Sequence, residues 1–208
     1  METTAATDRV EASEVARHIA RVAARLFAAR GYDATSVREI VAAAGVTKPT
    51  LYYHFGSKEG LAQALLTVPM TRLVEALRAI VAHVSDPAEA IEMTMQVHFD
   101  FCREDPDRAR FVYALLFGPL GSGLAAELAR FGEYLTEQTV EAVRPLAAAG
   151  WIATDRVSDC ALACRGMIVI STMDYLYRGV DLEPGLAGRL VGDLLHGFGG
   201  RAAAGGGE

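Results

Sequence analysis

Thr47, Lys48, Thr50, Tyr53 and Lys58 bring together, within a dozen positions, side chains whose chemistry suits a polyanion. A lysine neutralises phosphate, threonine and tyrosine hydroxyls hydrogen-bond to phosphate oxygens, and a threonine methyl packs on that of thymine. On a helical wheel Leu51 and Phe55 fall within about 40° of each other, with Pro49, Thr50 and Tyr53 on the far side. A tyrosine on the solvent face of a short helix, beside Thr50 and Lys48, is odd for inert surface and suits contact with nucleic acid. The chain offers no comparable chemistry for catalysis: it has no GxSxG, P-loop, HExxH or GxGxxG pattern and no zinc-ligand spacing. An enzyme is therefore the weaker reading, and no cofactor or metal is expected.

The three cysteines, Cys102, Cys160 and Cys164, contain no CxxC pair and give an odd number, which argues against a disulfide framework. Cys160 and Cys164 stand one helical turn apart and could form a redox-responsive pair. Their neighbours Ala161, Leu162 and Ala163 favour buried structural thiols instead.

The elements that must hold the polyanion-binding run are helices. Ala, Leu, Arg and Glu abound, while alternating Val/Ile/Thr runs are scarce, so the sequence predicts an all-α fold. Val15, Ile19, Val22, Leu26 and Phe27 form the apolar stripe of a first helix, with Arg17, Arg21 and Arg25 as a solvated neighbouring stripe, and Gly31 stops it. Ser36 and Glu39 have capping-box spacing, with Thr35 as an alternative cap, for a short helix ended by Gly45. Thr47 caps a third helix that accepts Pro49 in its first turn. Two short helices around a glycine-containing turn make a helix-turn-helix, the second helix entering a major groove. Longer helices are predicted over 57–82, 87–104, 106–117, 124–149, 154–178 and 183–198, separated by Pro and Gly punctuation such as Asp105-Pro106 and the run from Gly118 to Gly123. Pro69 and Pro145 are expected to kink their helices.

The segment AARLFAARGYDATSVREIVAAAGVTKPTLYYHFGSKEGL resembles the DNA-binding head of the TetR/AcrR transcriptional regulators, over roughly Val15 to Leu65. The telling parts are LFAARGYDATSV, AAGVTKPTLYYHF and SKEGL. Val41 stands where the family commonly has Ala, and Pro49 where it often has Gly. The resemblance implies that Arg38 reaches bases or phosphates, that Thr47, Lys48, Pro49 and Thr50 lead the recognition helix, and that Tyr52, Tyr53, His54 and Lys58 clamp phosphate. His54 and Tyr52 border the apolar face and could pack as well as touch DNA.

The resemblance further implies about nine helices: a head with a flexible N-terminal arm over residues 1–60, a ligand-binding and dimerisation domain over 61–200, and a disordered tail over 201–208. It implies a palindromic double-stranded operator, a small apolar or amphipathic inducer and a homodimer that uses the last two helices, with Leu186, Leu190, Val191, Leu194 and Phe198 available for an apolar face. Met93, Val97, Phe101, Phe117, Phe131 and Met167 are candidates for the inducer pocket, and His98 could orient a polar ligand group. Charge fits the division: residues 1–60 hold eight Lys/Arg against seven Asp/Glu, and the remainder 12 against 19, within a net charge of −6. No signal-peptide core and no long uninterrupted apolar run appear, so a cytoplasmic protein with no membrane partner is expected.

Overall fold

The computed structural model describes residues 2–117 and 123–197, with side chains from Glu14 onward except at residue 125. Among these residues the chain is helical: α1 (Glu2–Arg30), α2 (Val37–Ala44), α3 (Lys48–Phe55), α4 (Lys58–His83), α5 (Pro87–Glu104), α6 (Pro106–Leu116), α7 (Gly123–Ala148), α8 (Val157–Arg178) and α9 (Leu186–His196), with a 3₁₀ turn over Thr154–Arg156. The all-α expectation holds, and α4 to α9 match the expected spans within a few residues. Two differences stand out. α1 starts at Glu2, where a flexible arm was expected, because residues 2–14 contain neither Gly nor Pro to break the helix. Phe117, a candidate for the inducer pocket, is exposed. The expected tail, Phe198 and the glycine-rich separator before Gly123 lie outside the described residues.

Two compact units divide the chain: Met1–Arg72 with Cys102–Gly132, and Leu73–Phe101 with Glu133–Glu208. In the first, α1 packs against α2, α3 and α6. Ile19, Val22, Ala23 and Phe27 of α1 are buried with Ile40, Val41 and Ala44 of α2, Leu51 of α3 and Phe111 of α6. The Phe27 ring lies 5.0 Å from that of Phe111 and 5.3 Å, edge-on, from that of Tyr32. Each buried aromatic or branched side chain contributes about 1.5–3 kcal/mol by leaving water, so this cluster fixes how the short helices sit.

In the second unit the buried residues are chiefly Leu77 and Ile80 of α4, Ile91, Met95 and Phe99 of α5, Val143 and Leu146 of α7, and Ala161, Cys164, Ile168 and Leu176 of α8. α8 packs against α9, which turns Ala187 and Val191 inward. Pro69 and Pro145 lie inside α4 and α7. Each removes one backbone donor, leaving the carbonyl of the residue four back without its usual helical partner.

Candidate nucleic-acid interface

The turn between α2 and α3 is built from local chemistry. Ser36 caps α2: its hydroxyl accepts from the Glu39 amide at 3.3 Å, and the Ser36 amide donates to Glu39 Oε2 at 2.8 Å. Arg30 Nη1 adds an ion pair to Glu39 Oε1 at 3.0 Å, tying the end of α1 to the start of α2. The Ser36 hydrogen bonds, first from its amide and then from its hydroxyl, hold the Glu39 carboxyl below the usual value, with the Arg30 charge adding to them. Thr35 is not the cap; it is buried and its hydroxyl donates to the Gly31 carbonyl at 2.8 Å. Gly45 closes α2 with φ 64°, a left-handed conformation that glycine adopts without strain, and its amide bonds back to Ala42.

α3 begins as its sequence predicts. The Thr47 hydroxyl accepts from the Thr50 amide at 3.3 Å, and Pro49 occupies the first turn, where its missing donor costs nothing. Leu51 alone on this helix is fully buried. Around that anchor Thr47, Lys48, Pro49, Tyr52 and Tyr53 are exposed and Thr50 and His54 half-buried, while Arg38 is exposed on α2. Tyr53 is 81% exposed, with its ring edge-on to His54 at 5.0 Å. Charged, hydroxyl-bearing and aromatic groups thus share one short helix whose packing requires little of them. This arrangement can hydrogen-bond phosphates and read base edges.

Lys58 differs from the rest of the set. Its Nζ donates to the carbonyls of Tyr32 at 2.9 Å and Thr35 at 3.0 Å and lies 4.1 Å from the centre of the Tyr32 ring. Two of the three ammonium donors are thereby committed to the backbone between α1 and α2, leaving one for a phosphate. Nothing in the sequence pattern signals this, because the partners lie 23 and 26 positions away. Gly60 is a second unread feature: a Cβ there would collide with the backbone carbonyl of Phe55, so glycine lets the first turn of α4 approach the end of α3.

The six pocket candidates are not brought into one place within either unit. Phe117 and Phe131 belong to the first unit, and Met93, Val97, Phe101 and Met167 to the second. Phe117 is 61% exposed and stacks on Tyr113; Met93 is exposed, and the other four are half-buried. Burial holds the Cys164 thiol up at about 12 and also raises that of half-buried Cys160. Redox sensing depends on an accessible, low-pKa thiolate, so the redox alternative finds no support here. Among the described residues no group of His, Cys, Asp and Glu could hold a metal ion, and no helix is long and apolar enough to cross a membrane.

Residues 19–65 match the family model described as bacterial regulatory proteins, tetR family. The chain is 34% identical to the transcriptional activator FasR of Mycolicibacterium smegmatis over 44% of its own length and 42% of that protein's. It is 25% identical to the uncharacterised transcriptional regulator YdgC of Bacillus subtilis over 89% of its length and 93% of that protein's. Among solved structures, AibR in complex with isovaleryl coenzyme A and operator DNA superposes with a TM-score of 0.66 at 24% identity, covering 87% of this chain and 98% of that one.

Proposed function

Because residues 19–65 match the tetR family model, we propose that the chain is a TetR-type regulator: dimeric, sequence-specific in binding DNA, and most simply a repressor that a small apolar or amphipathic molecule releases from its operator. One observation carries the reading: α3 presents Lys48, Thr50 and a solvated Tyr53 from a helix whose one fully buried side chain is Leu51. In this reading Arg38, Thr47, Lys48, Pro49 and Thr50 read bases, and Tyr52, Tyr53 and His54 contact phosphates. Lys58 ties the start of α4 to the connection between α1 and α2 and offers its remaining donor to a phosphate.

A second copy supplies the second half-site, because one short recognition helix reads only a few base pairs. α8 offers a surface for it: Leu162, Ile170 and Tyr177 are 67%, 63% and 53% exposed. Leu186, Leu190 and Leu194 extend it as a half-buried row on α9, whereas Val191 is spent inside the unit. Half-sites one turn apart are about 34–36 Å from centre to centre, so a small pivot of each head misplaces both recognition helices. α4, running unbroken from Lys58 to His83 with Pro69 inside, is the element that would carry the pivot. A structural relative solved with both an acyl thioester and operator DNA supports pairing the two activities in this fold. The reading is of a regulator that works in the cytoplasm, not of an enzyme.

Selection of binding sites from random duplexes, followed by footprinting at physiological salt, tests the proposal. It expects a two-fold symmetric site bound at nanomolar concentration. Binding that is uniform across sequences would overturn it. The coupling has its own test: a molecule that weakens operator binding by some factor must itself bind the operator complex more weakly by the same factor.

A further inference from the structure

Three threonines are buried along the long helices of the second unit: Thr94 on α5, Thr139 on α7 and Thr172 on α8. A threonine inside a helix ordinarily satisfies its hydroxyl on the carbonyl one turn back. Thr139 does so on Leu135 and Thr172 on Ile168, both at 2.8 Å. Thr94 does not. It is 2% exposed, and its Oγ1 has no hydrogen-bond partner among the described residues. A buried hydroxyl left in this state lowers the stability of the fold, which is why such groups are rare and call for an explanation.

His98 lies one turn further along the same face of α5, its Nδ1 2.8 Å from the Thr94 carbonyl oxygen. A carbonyl only accepts, so Nδ1 carries the proton and the neutral ring presents the lone pair of Nε2. His98 is half-buried, and burial is the main cause that holds its pKa below the usual histidine value, with the nearby charge of Arg165 as a further cause. Arg165 itself is half-buried on α8, one turn from the buried Ala161 and Ile168, and makes no ion pair or hydrogen bond among the described residues. Guanidinium cannot shed its charge, so a partly desolvated arginine without a counter-ion is a site for an anion.

We propose that Thr94, His98 and Arg165 form the polar end of a ligand site within the second unit, and that this site takes the carboxylate of an otherwise apolar small molecule. The guanidinium supplies charge-assisted hydrogen bonds to the carboxylate and the Thr94 hydroxyl donates another. His98 remains the neutral wall, its Nε2 open to a hydroxyl on the same molecule. Half-buried Val97 on α5 and Met167 on α8 belong to the same unit and suit the apolar part. The inference deepens the ligand-responsive reading above and rests on it.

The test is calorimetric titration of the full-length protein, without DNA, with straight-chain carboxylates from butyrate to palmitate and with the matched alcohols. At least one carboxylate should bind about tenfold or more tightly than its alcohol. Arg165→Met should abolish that preference and Arg165→Lys restore most of it. Thr94→Val should weaken binding while leaving the melting temperature equal or higher, because it removes a hydroxyl the fold does not use. Equal binding of alcohols, no binding by any carboxylate, or unchanged affinity in Arg165→Met would overturn the site. Operator affinity of the same preparations separates the two ideas. A carboxylate that binds through Arg165 without changing operator affinity supports the site and sinks the inducer reading, whereas an alcohol that binds equally well and releases DNA sinks the site alone.

Discussion

Lys58 meets Tyr32 twice, donating to its backbone carbonyl at 2.9 Å while the ammonium stands 4.1 Å from the centre of its ring. The contact locks the first turn of α4 onto the connection between α1 and α2, and Tyr32 passes it on to the buried Phe27. Lys58→Met should therefore lower the melting temperature by roughly 2–6 °C, the loss of a charge-assisted hydrogen bond in a chain of this size. It should also weaken every operator variant by a similar factor, measured by gel shift alongside thermal unfolding. Full stability with weakened binding would return Lys58 to the status of a pure phosphate contact.

Tyr53 and Lys48 should behave differently from Lys58 and from each other. Both are exposed, so Tyr53→Ala and Lys48→Met should change stability by no more than about 0.5 kcal/mol. Tyr53→Ala should weaken operator binding and leave the salt dependence intact, because the ring carries no charge. Lys48→Met should reduce the slope of log affinity against log salt by about one. Anisotropy titrations across a salt series distinguish the two.

What could be read from the residues and what could not divides by range. The Ser36–Glu39 box, the Thr47 cap, the left-handed Gly45 and the outward face of α3 are relations between residues a few positions apart, and the sequence carries them directly. The roles of Lys58 and Gly60, and the lack of a partner for Thr94 Oγ1 and Arg165 among the described residues, exist only once distant segments have met. The start of α1 is hidden in the sequence for another reason. Its first two turns lack the apolar stripe that marks amphipathic helices, so helix propensity there comes without periodicity. Phe117 shows the opposite limit, since a large apolar side chain announces burial without saying against what.

Glu39 gives the head an acid-sensitive joint. Its carboxyl is held below the usual value in the folded protein, so the stability it contributes is present above the unfolded-state pKa and is lost as pH falls through the lower, folded one. Glu39→Gln should flatten the acid limb of a plot of melting temperature against pH while changing the neutral plateau less. Parallel acid limbs for the two proteins would remove Glu39 from the account.

The thiols supply a check on burial. Desolvation pushes Cys102 and Cys164 up to about 12, and raises Cys160 as well. At pH 8 iodoacetamide should leave Cys102 and Cys164 unmodified until the protein unfolds, with half-buried Cys160 reacting first. Peptide mass spectrometry reads the order, and rapid alkylation of Cys164 in the native protein would reopen a redox role for the pair.

Ile170 is the sharpest probe of assembly. A glutamate there would place a charge in the apolar surface that α8 offers to a second copy, so Ile170→Glu should sediment as a folded monomer and lose cooperative operator binding. A variant that stays dimeric would move the interface elsewhere.

α3 depends on Leu51 alone for deep anchorage, and its ends are closed by Thr47 and by Gly56, whose amide bonds to the Tyr52 carbonyl at 2.8 Å. Selection for a new target sequence can therefore act on Lys48, Pro49, Thr50 and Tyr53 with little penalty in folding. Most single changes at these four positions should yield proteins that express and dimerise normally yet differ in the genes they find. In such a scaffold the vocabulary of recognition is free to drift while the grammar that holds it stays fixed.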